Sequence, residues 1–434
     1  MPFKLPTRSN PPSWYTRAGH GSLADNFSGR NNTIGLIRLV AALLVVVSHA
    51  SPVGFGYLDP GAMRQGVAMG GMAVVAFFTL SGFLITRSAL RLRLGRYLWA
   101  RALRILPGLW LCVVITAFIV APLLAMYQHG GHLPGGFWHA KGDSPFRYVE
   151  KNMWTSLGQF DVSGVLSHAI KAGSAHNGAF DGALWTLAYE ATCYLVVGVL
   201  AVTAVLKRSP LFLVALALLF WICILQDLWR GHGLIVPQNL HGTYLVIPYL
   251  GHYMGGVDTS YLIYLGFPFT LGALCQLYIN RIPINDVLGY ASMAVFTLTL
   301  FVGGYFAFGI PALAYALIWL SVRLPRTLQK VGRKRDLSYG LYIYGFVWEQ
   351  VLAVLHVNNH GYWVYMPTAV AGSAVLALFS WYVIEHPALK LKDWSPGFTR
   401  FRRTSEDDAP AEVSTDGTTE GPSLAEPEVV ASAS

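Results

Sequence analysis

The sequence carries little charge. Asp, Glu, Lys and Arg make up only 12% of its 434 residues, whereas 54% are apolar. Soluble domains contain about 25% charged residues, so this deficit excludes a soluble multidomain protein. The apolar residues fall into helix-length runs separated by short loops. The composition therefore predicts an all-α, polytopic membrane protein whose first partner is the lipid bilayer.

Cysteine is also scarce. The four cysteines lie inside apolar runs and show no C-x-x-C or Cys/His spacing: Cys112, Cys193, Cys223 and Cys275. Neither a disulfide framework nor a zinc site is predicted, and no metal is assigned to the protein.

Several nucleotide and protease motifs are missing as well. The sequence contains no G-x-x-x-x-G-K-[ST], no G-x-G-x-x-G and no H-E-x-x-H. ATP-driven, dinucleotide-dependent and zinc-protease chemistries lose their main support. The segment before the first apolar run has no apolar core of its own, so no cleaved signal peptide is expected.

What is present is a series of ten predicted membrane spans. They cover residues 34–54, 67–87, 105–126, 184–206, 210–228, 260–279, 286–303, 305–322, 337–356 and 364–385. Basic residues crowd the loops on one side, as in 87–104 and 323–335, while the opposite loop 128–182 has four basic and four acidic residues. The positive-inside rule then places both termini in the cytoplasm. These basic residues orient the chain, so no nucleic-acid partner is predicted.

The spans divide the chain into three parts. Residues 1–33 form a cytoplasmic N-terminal segment, 34–392 a membrane domain, and 393–434 a disordered acidic tail on the cytoplasmic side. Two outer loops, near 128–182 and 229–259, are long enough to form a lid or an acceptor platform. A multi-pass location in the inner (plasma) membrane follows.

The first span carries Arg38 and His49. Eleven residues at about 100° each amount to three turns and about 20°, so both side chains leave one face, about 16.5 Å apart along the axis. Histidine is the usual general base for a hydroxyl nucleophile near neutral pH. Taken alone, His49 equally fits a packing role and Arg38 a cytoplasmic anchor.

Other polar residues interrupt the second and fourth spans. Glu190 lies more than one turn inside its span with Tyr194 four residues on, and a buried carboxylate needs a partner, for which His49 or an incoming hydroxyl is the candidate. Trp185 fits an interfacial aromatic. Ser81 and Gly82 either shape the site or form an ordinary small-residue helix contact.

Arg101 and Arg104 are three residues apart at the cytoplasmic entry to span three. Two guanidinium groups on one helical face can grip phosphate through bidentate bonds. The positive-inside bias explains them equally well.

Together these motifs resemble the membrane acyltransferase family 3, multi-span O-acyltransferases of extracytoplasmic glycans and lipids. The resemblance rests on Arg38-x10-His49, 78-FTLSGFL-84, Arg101-x-x-Arg104, 184-LWTLxxE-190 and 337-LSYGLYIY-344, in that order. It implies that cytosolic acyl-coenzyme A is the donor and a co-substrate, that His49 is essential, and that Arg101 and Arg104 belong to the donor site, with Arg38 also on the donor side.

The chain departs from the family pattern at two points. Many relatives have a histidine after the aromatic run of span nine, where this chain has Gly345. No fused esterase-type domain is present, so transfer to the acceptor should occur in the membrane domain or with a separate envelope-biosynthesis partner protein.

The resulting expectation is an enzyme that moves an acyl group, by default acetyl, to a hydroxyl of a glycan, glycolipid or related envelope molecule. His49 and Glu190 are the predicted catalytic residues. An acyl-histidine intermediate remains open beside direct transfer. The alternative is a proton-coupled transporter built on the same buried Arg, His and Glu residues.

Overall fold

The computed structural model describes residues 21–57 except 28, 30 and 31; 67–230; 244–245; and 257–394 except 326 and 334. The predicted acidic tail therefore lies outside the described residues from position 395 onward. Most of the predicted outer loop 229–259 lies outside them too, except for 229–230 and two short strands, Tyr244–Leu245 and Val257–Asp258, which pair antiparallel.

A helix occupies the position of each of the ten predicted spans. These helices are α1 Ile34–Gly54, α2 Met69–Arg91, α3 Leu94–Gln128, α4 Gly182–Val202, α5 Leu211–Trp229, α6 Thr259–Leu277, α7 Asp286–Val302, α8 Tyr305–Arg323, α9 Ser338–Val354 and α10 Tyr362–Asp393. Three of them continue through a π-helical turn, at Thr116–Val120, Tyr305–Gly309 and Trp381–Glu385.

Eight of these helices are long and apolar enough to cross a membrane. The other two, α7 and α9, have 17 residues each. At 1.5 Å per residue that is about 25 Å, near the lower limit for a span. The all-α, polytopic membrane fold is confirmed, while the count of ten spans and the cytoplasmic termini stay predictions.

Two groups of helices make the closest contacts. Helix α2 packs most extensively against α6, and α9 packs against α1 and α10. Because α1 also packs along α2, it joins the two groups. His49 on α1 and Ser81 on α2 therefore belong to adjoining helices.

The segment before α1 is tied to the membrane domain by backbone hydrogen bonds. The Leu23 N–H donates to the Ile282 carbonyl at 2.8 Å, and the Thr33 N–H donates to the Ser321 carbonyl at 2.8 Å. The described part of the predicted N-terminal segment is thus hydrogen-bonded to the loop between α6 and α7 and to the end of α8.

The segment between α3 and α4, predicted to be an outer loop, is ordered by buried polar side chains. It contains the short helices Phe137–His139, Pro145–Asn152 and Val165–Lys171. Asn152 is fully buried, and its side chain binds the Gln159 carbonyl and the Gly158 N–H, each at 2.8 Å. Burial raises the pKa of Asp161, although N–H groups at the start of the last short helix donate to its carboxylate and oppose the rise. This segment is a packed cover with its own polar core.

Candidate active site

His49 lies where α1 meets α9. Its ring sits 5.0 Å from the Phe346 ring, edge to face, and the residue is half-buried. The same phenylalanine faces the first turn of α4, since a Cβ on Gly182 would come within 2.8 Å of its ring. His49 is therefore held at a junction of α1, α9 and the entrance to α4.

The position of Gly345 is filled by α1. A Cβ there would come 2.7 Å from Cγ2 of Val46, one turn before His49. At this distance either the Val46 side chain or its helix must shift. Packing of α1 against α9 thus leaves little room for a side chain at position 345.

Glu190 accepts hydrogen bonds from two other predicted site residues. Ser81 Oγ donates to Glu190 Oε1 at 3.1 Å, and the Tyr194 hydroxyl donates to the same oxygen. The Tyr97 hydroxyl in turn donates to the Tyr194 carbonyl at 2.8 Å. Ser81, Glu190 and Tyr194 therefore form one hydrogen-bonded group between α2 and α4. The expected pairing of Glu190 with His49 stays a prediction.

Gly82 serves a helix contact. A Cβ on it would lie 1.9 Å from the Phe269 carbonyl oxygen, and a Cβ on Gly272 would lie 1.9 Å from the Thr79 carbonyl oxygen. The two glycines let α2 and α6 touch backbone to backbone. Gly82 thus acts by setting the position of Ser81, its neighbour in sequence.

The arginines near the predicted cytoplasmic end are bound by carboxylates. Asp336 lies between two of them, at 2.7 Å from Nη2 of Arg104 and 3.3 Å from Nη1 of Arg38. The other terminal nitrogen of Arg104 is 3.7 Å from Glu385, which is almost fully buried. Arg38, Arg104, Asp336 and Glu385 form a charge cluster that joins α1, α3, α10 and the loop just before α9.

Asp336 was missed by the sequence reasoning. Burial by itself raises the pKa of its carboxyl, but Arg104 and Arg38 lower it more, so the pKa lies below the ordinary value. One signal was available: Asp336 is the one acidic residue in the basic loop 324–337. Its partners are distant in the sequence, which hides the pairing.

Arg101 and Arg104 do not share an environment. Arg104 faces two carboxylates, whereas the buried Nε of Arg101 has no hydrogen-bond partner among the described residues. Arg101 instead lies within electrostatic range of Tyr97 and Tyr194. The predicted guanidinium fork is thus divided, because Arg104 pairs with carboxylates while Arg101 keeps a buried nitrogen without a hydrogen-bond partner among the described residues.

Trp185 packs in an aromatic group at the start of α4. Its ring lies 5.6 Å from that of Tyr189 and 5.0 Å from that of Tyr261. The next residue, Thr186, shares a hydrogen bond with the Tyr342 hydroxyl, which also donates to the Ala183 carbonyl at 3.0 Å. These contacts fix the first turn of α4 against α6 and α9.

Two further acids lie at the start of α4 and in α9. Asp181 and Glu349 are both buried, and neither carboxylate oxygen of Glu349 has a hydrogen-bond partner in the part of the chain that the structure describes. Two buried carboxyl groups therefore lie inside the protein apart from the Glu190 group and the charge cluster. No group of three or more His, Cys, Asp or Glu side chains that could hold a metal occurs among the described residues.

The chain resembles known proteins over most of its length. The profile of a family described as "Acyltransferase domain" matches residues 31–385. A protein of Shigella phage Sf6 named O-acetyl transferase is 26% identical over 366 residues, covering 82% of this chain and 95% of its own. Nodulation protein 10 of Rhizobium leguminosarum bv. viciae is 27% identical over 398 residues, covering 86% and 97%. No solved structure matches significantly.

Proposed function

We propose a donor, a base and an acceptor class for this chain, which belongs to the acyltransferase-domain family and is a membrane O-acyltransferase. The donor is cytosolic acyl-coenzyme A, and the acyl group is acetyl. The acceptor is a hydroxyl of an extracytoplasmic glycan, glycolipid or related envelope molecule, and the enzyme resides in the inner (plasma) membrane. The family match across residues 31–385, together with a relative named O-acetyl transferase, carries the proposal. The same family match favours an acyltransferase over a proton-coupled transporter as the explanation of the buried Arg, His and Glu residues.

His49 is the proposed general base. It takes the proton of the acceptor hydroxyl as that oxygen attacks the thioester carbonyl carbon. The carbon–sulfur bond then breaks, and the leaving thiolate takes the proton from the imidazolium, so the products are an ester and free coenzyme A. The half-buried ring of His49, fixed against Phe346, supports this role because a base must be both oriented and accessible.

Glu190 is the proposed second catalytic residue. Ser81 and Tyr194 donate to its carboxylate, which supports a fixed negative charge beside the path of the thioester arm. Such a charge would orient His49, as expected from the sequence, or the donor amides. Donor binding falls mainly to Arg101, because a phosphate at Arg38 or Arg104 must compete with Asp336.

The test uses purified protein in lipid nanodiscs with labelled acetyl-coenzyme A and an envelope extract. Wild-type protein should release coenzyme A and pass label to the extract. His49→Ala should lower this rate by about 10²-fold or more, the usual contribution of a general base. The control, His360→Ala, removes an exposed histidine of the turn before α10 and should retain activity. Full activity of His49→Ala, with normal expression, would remove His49 from the chemistry.

A further inference from the structure

Two histidines of the packed cover between α3 and α4 face each other. His129 follows the last residue of α3, and His168 lies in the short helix Val165–Lys171. Their ring centres are 5.1 Å apart, and the ring planes are inclined by 42°. Both residues are exposed, so a solvent ion can reach their rings. Neither residue belongs to the predicted acyl-transfer site.

The separation of the two rings fits a shared metal ion. Zinc binds imidazole nitrogen at about 2.0–2.1 Å and prefers a tetrahedral geometry, which places the ring centres of two such histidines about 5 Å apart. The 5.1 Å between His129 and His168 agrees with this value. A zinc ion can therefore be held between the rings with only small rotations about their side-chain bonds.

The ring of His129 is already oriented as a metal ligand would be. Its Nδ1 lies 2.8 Å from the Ala125 carbonyl oxygen. Because a carbonyl oxygen only accepts hydrogen bonds, Nδ1 carries the proton of the neutral ring and Nε2 keeps its lone pair. Metal-binding histidines are usually fixed in this way, by donation from the other ring nitrogen to a carbonyl or carboxylate.

Gln128 joins the two segments that carry these histidines. Its Nε2 donates to the Val165 carbonyl at 3.1 Å, which ties the end of α3 to the helix of His168. The Oε1 of the same side chain is buried and has no hydrogen-bond partner among the described residues. A buried oxygen without a donor needs an explanation, and a cation at this junction supplies one. Because the segments are already joined, an ion that bridges them costs little chain entropy.

A third histidine follows His129 through a glycine turn. The His132 N–H donates to the His129 carbonyl at 3.5 Å, and this four-residue turn keeps the two Cα atoms within about 7 Å of each other. Gly130 and Gly131 have φ of 64° and 94°, so the turn depends on glycine. His132 is exposed. The three imidazoles do not form one group as they stand, so His132 must rotate its side chain to reach the ion.

We propose that His129, His132 and His168 bind one Zn²⁺ ion on the packed cover, with water as the fourth ligand. Imidazole nitrogen is a preferred ligand of Zn²⁺, and three histidines with one open position form a stable coordination set. The ion joins the end of α3 to the short helix Val165–Lys171. This site is separate from the residues assigned to acyl transfer, so it does not depend on the proposed function.

The test measures Zn²⁺ binding by isothermal titration calorimetry. The protein and the nanodisc scaffold carry no polyhistidine tag and are first treated with EDTA. Wild-type protein should bind one Zn²⁺ per chain at pH 7.5 and much less at pH 5.5, because the ligands must be unprotonated. His129→Gln, His132→Gln and His168→Gln should each weaken binding by about tenfold or more, since loss of an outer-shell partner alone costs about 10–100-fold.

The matched control is His139→Gln, which removes another exposed histidine of the packed cover. It should bind Zn²⁺ as wild type does. Equal weakening by His139→Gln and His168→Gln would overturn the proposal, because any surface imidazole would then suffice. Full binding by the variant His129→Gln/His168→Gln would also overturn it, since the ion would then lie at others of the 13 histidines. In EDTA all variants should unfold at the wild-type temperature, which shows that lost binding is not lost folding.

Discussion

Asp336 is the residue that decides the electrostatics of the predicted cytoplasmic end. Arg38 and Arg104 come from different helices, and both approach its Oδ2. Without a carboxylate there, two guanidinium groups would face each other in a partly buried place, at a cost of several kcal/mol. Asp336 therefore lets α1, α3 and α9 meet, and it also withdraws Arg104 from the set of cations open to a ligand.

We predict that Asp336→Asn destabilises the protein by about 2 kcal/mol, less than a fully buried pair because the side chains are 15–26% exposed. The pKa of Asp336 is lowered by folding. Its stabilisation is therefore complete above the unfolded value, about 4, and is lost as the pH falls further through the folded pKa. Thermal unfolding in nanodiscs should show a constant gap between wild type and variant from pH 8 to 5, which narrows below pH 4.

The control for this prediction is Asp393→Asn, which removes an exposed carboxylate at the last residue of α10. Its unfolding temperature should match that of wild type at every pH. A gap between wild type and Asp336→Asn that widens on acidification would contradict the assigned charge state.

Some of these residue contacts were open to sequence reasoning and others were not. The contact of Glu190 with Tyr194 follows from their i, i+4 spacing. The bond from Ser81 to Glu190 joins residues 109 positions apart, and that from Arg104 to Asp336 joins residues 232 apart. Periodicity places each such residue on a helix face, but only the packing of helices decides which faces meet.

Helix α2 shows the same limit of prediction from sequence for a whole helix. Its position was predicted from hydropathy and agrees with the structure to within four residues at its end. From the sequence alone, Gly82 allows either a ligand or another helix to approach α2 closely. The partner, Gly272, lies 190 positions later on α6, so the reciprocal backbone contact could be recognised only once the two helices were docked.

We predict that Gly82→Ala separates α2 from α6. The added carbon would lie 1.9 Å from the Phe269 carbonyl oxygen, and backbone cannot move aside as a side chain can. Overpacking costs typically about 1–3 kcal/mol, and here we expect at least the upper end. Because Ser81 would shift with the helix, acetyl transfer should fall as well. Both are measured on nanodisc-reconstituted protein.

Gly71→Ala provides the matched control on the same helix. No atom lies within 4 Å of the carbon it would add, and alanine is the better helix former. Its stability and activity should equal or exceed those of wild type. Equal unfolding temperatures for Gly82→Ala and Gly71→Ala would show that the close contact of α2 and α6 is not needed.

For the whole molecule, the charge pattern and the apolar surface point to one orientation. Large apolar side chains remain exposed on many helices, including Leu123 at 60%, Leu211 at 71% and Phe301 at 55%, as expected of a lipid-facing surface. Basic residues lie at one end of the bundle, where α2 ends and α3 begins, while the packed cover between α3 and α4 lies at the other. A donor and an acceptor entering from opposite sides need this polarity.

We predict that this basic end faces the cytoplasm and the cover faces outward. Single cysteines introduced as Glu150→Cys, on the cover, and Arg208→Cys, after α4 at the basic end, are exposed sites, and the four native cysteines are buried or half-buried. In intact cells a membrane-impermeant maleimide should label the first and should label the second only after lysis. The reverse result would put Arg101 and the basic end outside, where cytosolic acyl-coenzyme A has no access, and the proposed donor would then have to be abandoned even though the fold is unchanged.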